Sequence, residues 1–135
     1  MSSEVETIER TYRAYFTVFQ MANPRAITPY YLVPCMFISP AGTFALGSTQ
    51  EAEQFFERLI YSLRSRGYVR SVLEDVQVKQ LSEELALVNM RGARYKSNRE
   101  LLERVHGIYT LRKQDGVWRI AVTTMFDSNY TLDLA

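Results

Sequence analysis

The segment YTLRKQDGVWRI, residues 109–120, is the strongest indication of a fold in this sequence. The central pair Asp115-Gly116 indicates a β-hairpin, because these residue types suit the two positive-φ positions of a type I′ turn. Apolar and polar residues alternate on both sides of the pair, which is typical of strands with one buried face. The turn predicts a register in which Leu111 faces Ile120 and Tyr109 faces Val122.

This register gives the hairpin two different faces. The apolar face continues with Gly107 opposite Thr124. The other face is mixed in polarity and pairs Arg104, His106, Ile108 and Thr110 with Asp127, Met125, Thr123 and Ala121, respectively. We expect the apolar face to pack on helices and the mixed outer face to form an isologous homodimer interface. An ion pair is expected between Arg104 and Asp127.

The same alternation extends to a meander of four long strands. They are predicted at residues 69–81, 84–95, 103–113 and 117–126. Earlier in the chain the apolar residues follow a helical period instead, at residues 4–22 and over the segment between Ser48 and Gly67. Helices segregated from a long antiparallel meander indicate an α+β domain.

Helix caps and short connecting elements complete the order. Ser3 with Glu6, and Ser48 with Glu51, have the spacing of capping boxes, so each serine is expected to cap a helix. A single turn of helix is predicted at residues 24–31. Two short strands follow as a hairpin, at residues 34–40 and 43–46.

The composition describes one ordinary globular domain. The chain has 135 residues, 47% of them hydrophobic, and a formal net charge of +1. At roughly 100–200 residues per domain, we expect a single domain over residues 1–135, with residues 128–135 as an extension of the last strand or a docking tail. The small net charge disfavours a nucleic-acid partner, and no segment has the length of a membrane span.

A few residue types set the expectations for cellular location, metal sites and cofactors. One cysteine, Cys35, permits no internal disulfide, and the first ten residues lack the apolar core of a signal peptide, so a cytoplasmic location is expected. One histidine and one cysteine, distant in sequence, do not make a zinc site, and no phosphate-binding glycine loop occurs. We therefore expect no metal and no cofactor.

Together with TIERTYRAYFTVF (residues 7–19) and PCMFISPAG (residues 34–42), the hairpin segment resembles the nuclear transport factor 2-like superfamily, which includes ketosteroid isomerase and the SnoaL-like polyketide cyclases. The resemblance covers nearly the whole chain. It implies a cone-shaped, cystatin-like fold in which a curved antiparallel sheet packs against N-terminal helices. It also implies an apolar pocket inside the cone and a dimer through the outer face of the sheet.

The resemblance does not bring steroid-isomerase chemistry with it. In that enzyme an aspartate base precedes a proline at the end of the first hairpin strand, and this position is Ser39, which has no useful basicity near neutral pH. The tyrosine that helps to bind the enolate oxygen falls on Tyr15. The protonated aspartate that forms the second oxyanion donor falls near Gly107, beside His106. The catalytic residues are therefore unknown.

The family's dehydratases and cyclases use an aspartate–histidine pair. His106 and Asp127 are the residues of these types that lie close together in this chain. Both fall on the outer face in the predicted register, away from the expected pocket. We therefore expect His106 to be a surface or interface residue, with catalysis as the alternative.

Seven residues are predicted to face a ligand inside the cone, and they draw on the 13% aromatic content of the chain. They are Tyr15, Phe19, Phe37, Ser39, Phe56, Arg94 and Tyr109. The buried hydroxyl of Tyr15 needs a partner or a ligand, with core packing as the alternative. Arg94 either binds a carboxylate or phenolate by charge-assisted hydrogen bonds or extends to solvent.

Three functions fit these expectations. The first is a homodimeric domain that binds a small apolar or aromatic molecule. The alternative is a cofactor-independent enzyme, an isomerase, cyclase, dehydratase or hydrolase, acting on a small polyketide- or steroid-like molecule. That enzyme would need a basic group inside the cone. The third is an assembly module whose product is the dimer itself.

Overall fold

The computed structural model describes residues 3–126, 129–130 and 132–134. Its helices pack on one six-stranded sheet. The helical elements are α1 (Glu4–Phe19), α2 (Pro24–Ile27), a 3₁₀ turn (Thr28–Tyr30) and α3 (Thr49–Ser65). The strands are β1 (Tyr31–Ser39), β2 (Gly42–Leu46), β3 (Arg70–Gln80), β4 (Leu85–Tyr95), β5 (Leu101–Gln114) and β6 (Val117–Phe126). The α+β class and the predicted order of elements are confirmed.

The sheet runs in the order β2-β1-β6-β5-β4-β3. Neighbouring strands are antiparallel except β1 and β6, which are parallel. This parallel contact joins the short N-terminal hairpin to the meander, because the last strand of the meander lies beside the first strand of the chain. The sheet curves around α1 and α3 without closing, which leaves an open mouth at one end.

Both helices begin where the capping boxes predict. The Ser3 Oγ accepts a hydrogen bond from the backbone N–H of Glu6 at 3.1 Å. The Ser48 Oγ accepts one from the backbone N–H of Glu51, also at 3.1 Å. These bonds satisfy backbone donors that the first helical turn leaves free. Helix α1 ends at Phe19 rather than at the predicted residue 22, because the chain reverses at Ala22 with φ 57°.

The central hairpin has the predicted turn but not the full predicted register. Asp115 and Gly116 adopt φ 53° and 78°, as a type I′ turn requires. Leu111 faces Ile120 as predicted, but the register then shifts by one residue, so that Tyr109 faces Thr123. A β-bulge that leaves Ala121 unpaired produces the shift, since it adds one residue to β6.

The bulge corrects the predicted faces of β6. Thr123 and Met125, predicted on the outer face, lie opposite Tyr109 and Gly107 on the inner face. The outer face of β6 instead carries Val122, Thr124 and Phe126, which face Thr110, Ile108 and His106, respectively. The sequence pattern could not show this, because Ala121 fits either alternation.

The core lies between the helices and the concave face of the sheet. Its fully buried side chains come from every layer and include Ile8, Tyr12, Ala52, Phe56, Val88 and Leu111. Trp118 is buried beside them, and its indole N–H donates to the carboxylate of Glu4 at the start of α1. The apolar stripes of α1 and α3 therefore meet the inner face of the meander, as amphipathic helices must.

The predicted partner of Arg104 was Asp127, which lies outside the described residues. Arg104 itself donates to both carboxylate oxygens of Glu74, each at 2.8 Å. The tail, residues 129–130 and 132–134, contacts the outer face of its own sheet through Gln77 and Asn89. In the described ranges, no helix is long and apolar enough to cross a membrane.

Candidate functional site

A small cavity lies inside the cone, between rings that sequence reasoning predicted to face a ligand. Its volume is about 30 Å³. Side chains from α1, α3 and the sheet line it: Tyr15, Phe16, Phe19, Phe37, Leu59, Ser71, Met90, Arg94, Val105, Tyr109 and Met125. That volume holds about one water molecule, so the interior is close to filled.

Five of the seven predicted residues meet at this cavity: Tyr15, Phe19, Phe37, Arg94 and Tyr109. Ser39 lies further out, at the end of β1, where its Oγ accepts a hydrogen bond from the backbone N–H of Ala41 at 3.2 Å. Phe56 lies in the core, 0% exposed, with its ring centroid 4.8 Å from that of Tyr31. A ligand role for Phe56 therefore stays a prediction without support from its position.

Hydroxyl groups of buried tyrosines at and near the cavity are hydrogen-bonded to other side chains. The hydroxyls of Tyr15 and Tyr31 lie 2.8 Å apart, and that of Tyr31 lies 3.1 Å from Thr123 Oγ1. The Tyr109 hydroxyl donates to the Met125 sulfur at 3.8 Å. Burial raises the pKa of Tyr15 well above its ordinary value, so this phenol stays protonated and serves as a donor rather than a base.

A cleft at the mouth of the cone lies next to this small cavity and is larger than it. Its volume is about 360 Å³. Its lining is Phe37, Ser39, Pro40, Leu59, Arg94, Glu103, Arg104, Val105, Met125 and Phe126. It shares five of these side chains with the cavity: Phe37, Leu59, Arg94, Val105 and Met125. The cleft and the cavity are therefore adjacent, and these five residues lie between them.

A second, more apolar cleft opens beside the first. Its volume is about 270 Å³, and Phe37, Ser39, Ala41, Phe44, Phe55, Arg58 and Leu59 line it. The Phe37 and Phe55 ring centroids lie 4.8 Å apart, and those of Phe44 and Phe55 lie 5.4 Å apart. Phe37, Ser39 and Leu59 line both clefts, so the two clefts lie side by side.

Charge at the mouth is concentrated on Arg94, Glu103 and Arg66. Arg94 Nη1 donates to Glu103 Oε2 and Arg66 Nη2 donates to Glu103 Oε1, both at 2.7 Å. Burial alone would raise the pKa of Glu103, but the two guanidinium groups outweigh burial and hold that pKa below its ordinary value. Glu103 is therefore a carboxylate at neutral pH and a weak base.

Glu103, Leu59 and Met125 were not among the predicted site residues. The alternation of β5 contained the signal for Glu103, because it shares the inner face with Val105 and Tyr109 and lies opposite Arg94. Met125 was assigned to the outer face because the bulge at Ala121 leaves no mark in the sequence pattern. Leu59 lies in the helix predicted between Ser48 and Gly67, and a helical period alone does not distinguish a mouth position from a core position.

The position expected for a second oxyanion donor carries no side chain. A Cβ atom on Gly107 would lie 2.7 Å from the Met125 sulfur, so methionine fills this part of the inner face. His106, the next residue along the chain, points to the opposite face and is 1% exposed. His106 is therefore not a base for chemistry inside the cone.

Two further groups have simple assignments. Burial raises the pKa of the Cys35 thiol to about 11, so the thiol is protonated and unreactive near neutral pH. Within the described part of the chain, no group of three or more histidine, cysteine, aspartate or glutamate side chains is placed to hold a metal ion.

Comparison with known proteins adds a family and a set of similar folds. A family model described as NTF2-like protein (DUF6841) matches residues 3–128. No match was found among curated proteins. The protein Aln2 from a Streptomyces species superposes with a TM-score of 0.76 at 11% identity, over 96% of this chain and 94% of that chain.

Two other solved structures show the same architecture. A ketosteroid isomerase-like protein from Erwinia carotovora atroseptica has a TM-score of 0.68 at 18% identity, over 93% of this chain and 97% of that chain. A protein of unknown function with a cystatin-like fold from Nostoc punctiforme has a TM-score of 0.75 at 10% identity, over 93% and 94%. At these identities the likeness shows the fold alone, and the predicted cone-shaped, cystatin-like fold is confirmed.

Proposed function

Since the chain belongs to the NTF2-like family DUF6841, we propose that it uses the mouth of its cone to bind a small apolar or aromatic molecule. The cleft of about 360 Å³ between Phe37, Leu59 and Met125 is the observation that carries this proposal. Binding pockets for small molecules typically measure about 300–1,000 Å³ and combine apolar walls with a few polar groups. Ser39, Arg94, Glu103 and Arg104 are the polar side chains of this cleft.

The charges at the mouth favour a ligand with an anionic or hydrogen-bond-accepting end. Two guanidinium groups, those of Arg66 and Arg94, share one carboxylate, that of Glu103. The side chain of Arg94 is only 16% exposed, so its charge is weakly screened by water. A ligand carboxylate or phenolate would gain charge-assisted hydrogen bonds from this arginine.

The wall between the cleft and the inner cavity suits an adaptable site. Met125 and Leu59 belong to this wall, and the flexible thioether of methionine can repack around ligands of different shape. Movement of these two side chains would join the cavity to the cleft. Phe37 lines both spaces, so its ring would contact a ligand in either of them.

An enzyme is the second candidate, since a ketosteroid isomerase-like protein shares the fold. Glu103 is the carboxylate among the described residues that line the larger cleft. Its two arginine partners lower its pKa, which makes it a poor proton acceptor. Binding is therefore the proposal, and turnover of a bound molecule would be a separate finding.

The proposal includes a homodimer through the outer face of the sheet. Half-buried apolar side chains on four neighbouring strands support it: Met36, Ile38, Val122, Ile108 and Leu87. A sheet face of this kind needs a covering surface, and an isologous contact supplies one. The free, buried thiol of Cys35 fits the cytoplasmic location that is also part of the proposal.

Two naphthalene probes test the binding proposal by titration calorimetry and NMR: 2-naphthoate, which is anionic, and 2-naphthalenemethanol, which is neutral. Leu59→Trp fills the cleft and should abolish binding, whereas Tyr61→Trp, on the exposed side of the same helix, should leave binding unchanged. Equal binding by Leu59→Trp and the unmodified protein, or no binding of either probe to the latter, would overturn the proposal. Mass spectrometry of small molecules that co-purify with the protein then identifies the natural ligand.

A further inference from the structure

A cluster of polar side chains lies on the outer face of the sheet. Its members are Gln77 on β3, Asn89 on β4 and His106 on β5, and they are called the tail clamp below. Asn89 is 2% exposed and His106 is 1% exposed. Buried polar groups of this kind are kept only where hydrogen bonds satisfy them.

The tail supplies three of those hydrogen bonds through its backbone. Asn89 Nδ2 donates to the carbonyl oxygen of Leu132 at 2.7 Å, and the N–H of Leu134 donates to Gln77 Oε1 at 3.2 Å. His106 Nδ1 lies 3.1 Å from the carbonyl oxygen of Tyr130. The clamp therefore recognises an extended segment mainly by its backbone, as strand-addition sites do.

Hydrogen bonding fixes the orientation of both side-chain amides. Asn89 Nδ2 also donates to Gln77 Oε1 at 3.0 Å, so this nitrogen faces two oxygen acceptors. Gln77 Nε2 donates to Asp133 Oδ1 at 2.9 Å, which leaves Gln77 Oε1 as the acceptor. Exchanging N and O in either amide would bring like atoms together. Asn89 Oδ1 must therefore be the atom that faces His106.

Both ring nitrogens of His106 face an oxygen that accepts hydrogen bonds. His106 Nε2 lies 2.8 Å from Asn89 Oδ1, and His106 Nδ1 lies 3.1 Å from the Tyr130 carbonyl oxygen. Neither oxygen can donate a hydrogen, so each ring nitrogen must carry one to make both bonds. A neutral imidazole has one N–H and would lose one of the two bonds.

We infer that His106 is an imidazolium when the tail is bound. The tail clamp is then a binding surface for the chain's own C-terminal segment, and its affinity for that segment depends on this charge. Loss of one proton leaves a nitrogen lone pair facing an oxygen lone pair. The contact with Tyr130 is the one that this repulsion releases, because Asn89 is held by two further bonds. The inference is independent of ligand binding at the mouth.

The charged neighbours of His106 come from several elements. Arg91 on β4 is its cross-strand partner, but that side chain is exposed and screened by water. Glu74 and Asp75 of β3 and Arg104 of β5 line the same surface groove, and Glu74 and Arg104 pair with each other. The Phe126 ring centroid lies 4.2 Å from that of His106, where an aromatic face favours a cation.

The test uses the full chain, whose single histidine gives an unambiguous NMR signal. Nitrogen-15 spectra of the imidazole, recorded from about pH 5 to about pH 8.5, report whether one or both ring nitrogens are protonated. Hydrogen exchange of the Leu134 amide, corrected for the intrinsic pH dependence of exchange, reports tail binding over the same range. Protection of Leu111 in the core serves as the internal reference for global opening.

We expect both ring nitrogens to be protonated while the Leu134 amide is protected, and protection to fall about tenfold or more as one proton is lost. In His106→Gln, which retains a single donor group, protection of Leu134 should be low and independent of pH. Arg91→Gln, on the same outer face, should leave the pH dependence in place. A protected Leu134 amide beside a neutral imidazole would overturn the inference, and so would pH-independent protection in the unmodified protein.

Discussion

Arg94 Nη1 lies 2.7 Å from Glu103 Oε2, and this contact ties two neighbouring strands together at the mouth of the cone. Both side chains project from the inner face, Arg94 from β4 and Glu103 from β5. Arg66, at the end of α3, holds the other oxygen of the same carboxylate. One carboxylate thus links a helix and two strands at the rim of the candidate site.

Acidic pH should weaken the fold through this carboxylate. The pKa of Glu103 is lower in the folded chain than its ordinary value, so its contribution to stability is present above the unfolded pKa and is lost as the pH falls through the folded pKa. Glu103→Gln should cost about 1–2 kcal/mol of unfolding free energy at pH 7, allowing for partial solvent screening, and much less near pH 3. Urea unfolding at both pH values measures the difference.

Glu100→Gln is the matched control, because Glu100 is exposed and its contact with Lys96 is 4.0 Å long. This variant should change the unfolding free energy little at either pH. A loss of stability in Glu103→Gln that is as large at pH 3 as at pH 7 would show that packing, rather than charge, is the important property of Glu103.

Two tyrosine-to-phenylalanine substitutions should differ in their effect on stability. The Tyr31 hydroxyl bonds to both Tyr15 and Thr123, so Tyr31→Phe leaves two buried groups without this partner and should cost about 1–3 kcal/mol. The Tyr12 hydroxyl is buried with no hydrogen-bond partner among the described residues, so Tyr12→Phe should be neutral or stabilising. Thermal and urea unfolding compare the two. A destabilised Tyr12→Phe would mean that this hydroxyl has a partner, such as the neighbouring Tyr109 hydroxyl or a buried water.

Local signals in the sequence were sufficient for the helices, the strands and the central turn, whereas the cone-shaped architecture was implied by the family resemblance. The helix caps at Ser3 and Ser48 and the Asp115-Gly116 turn depend on residues a few positions apart, and all three form as predicted. Alternation also placed Tyr109 and Arg94 on the inner face correctly. These features are determined by residues that are close together in the chain, so they can be predicted from a single sequence.

The candidate site was harder to predict because it depends on contacts between distant segments. The bulge at Ala121 reverses the face of Met125, and only the packing of the whole sheet determines where the bulge falls. The volume left between rings is likewise a property of three-dimensional packing. Aromatic residues on inner faces predicted a pocket wall, but the same rings fill most of the space that they enclose.

The Cys35 thiol should resist alkylation in the folded protein. It is 6% exposed, and burial raises its pKa to about 11, so the reactive thiolate is scarce at pH 8. Iodoacetamide at pH 8 should modify Cys35 slowly in buffer and rapidly in denaturing urea, as intact-mass spectrometry would show. Rapid modification in buffer would indicate that β1 opens locally or that the thiol is more exposed than in this structure.

Two inward-facing glycines should tolerate alanine to different degrees. A Cβ on Gly92 would lie 2.9 Å from the backbone oxygen of Val72, whereas a Cβ on Gly107 would lie 2.7 Å from the sulfur of Met125. Backbone in a paired strand cannot yield without breaking the ladder, but a methionine side chain can rotate away. Gly92→Ala should therefore cost about 1–3 kcal/mol, the range for overpacking, and Gly107→Ala should cost less.

The smaller cost of Gly107→Ala should have a second consequence at the mouth. The sulfur of Met125 can move toward the cavity of about 30 Å³ that it already lines. This movement reduces the volume available to a ligand at the mouth. Gly107→Ala should thus weaken binding of 2-naphthoate while the protein stays folded, and calorimetry beside urea unfolding measures both effects. Equal destabilisation by the two alanines would show that Met125 is held as rigidly as the backbone, which would also count against an adaptable wall at the mouth.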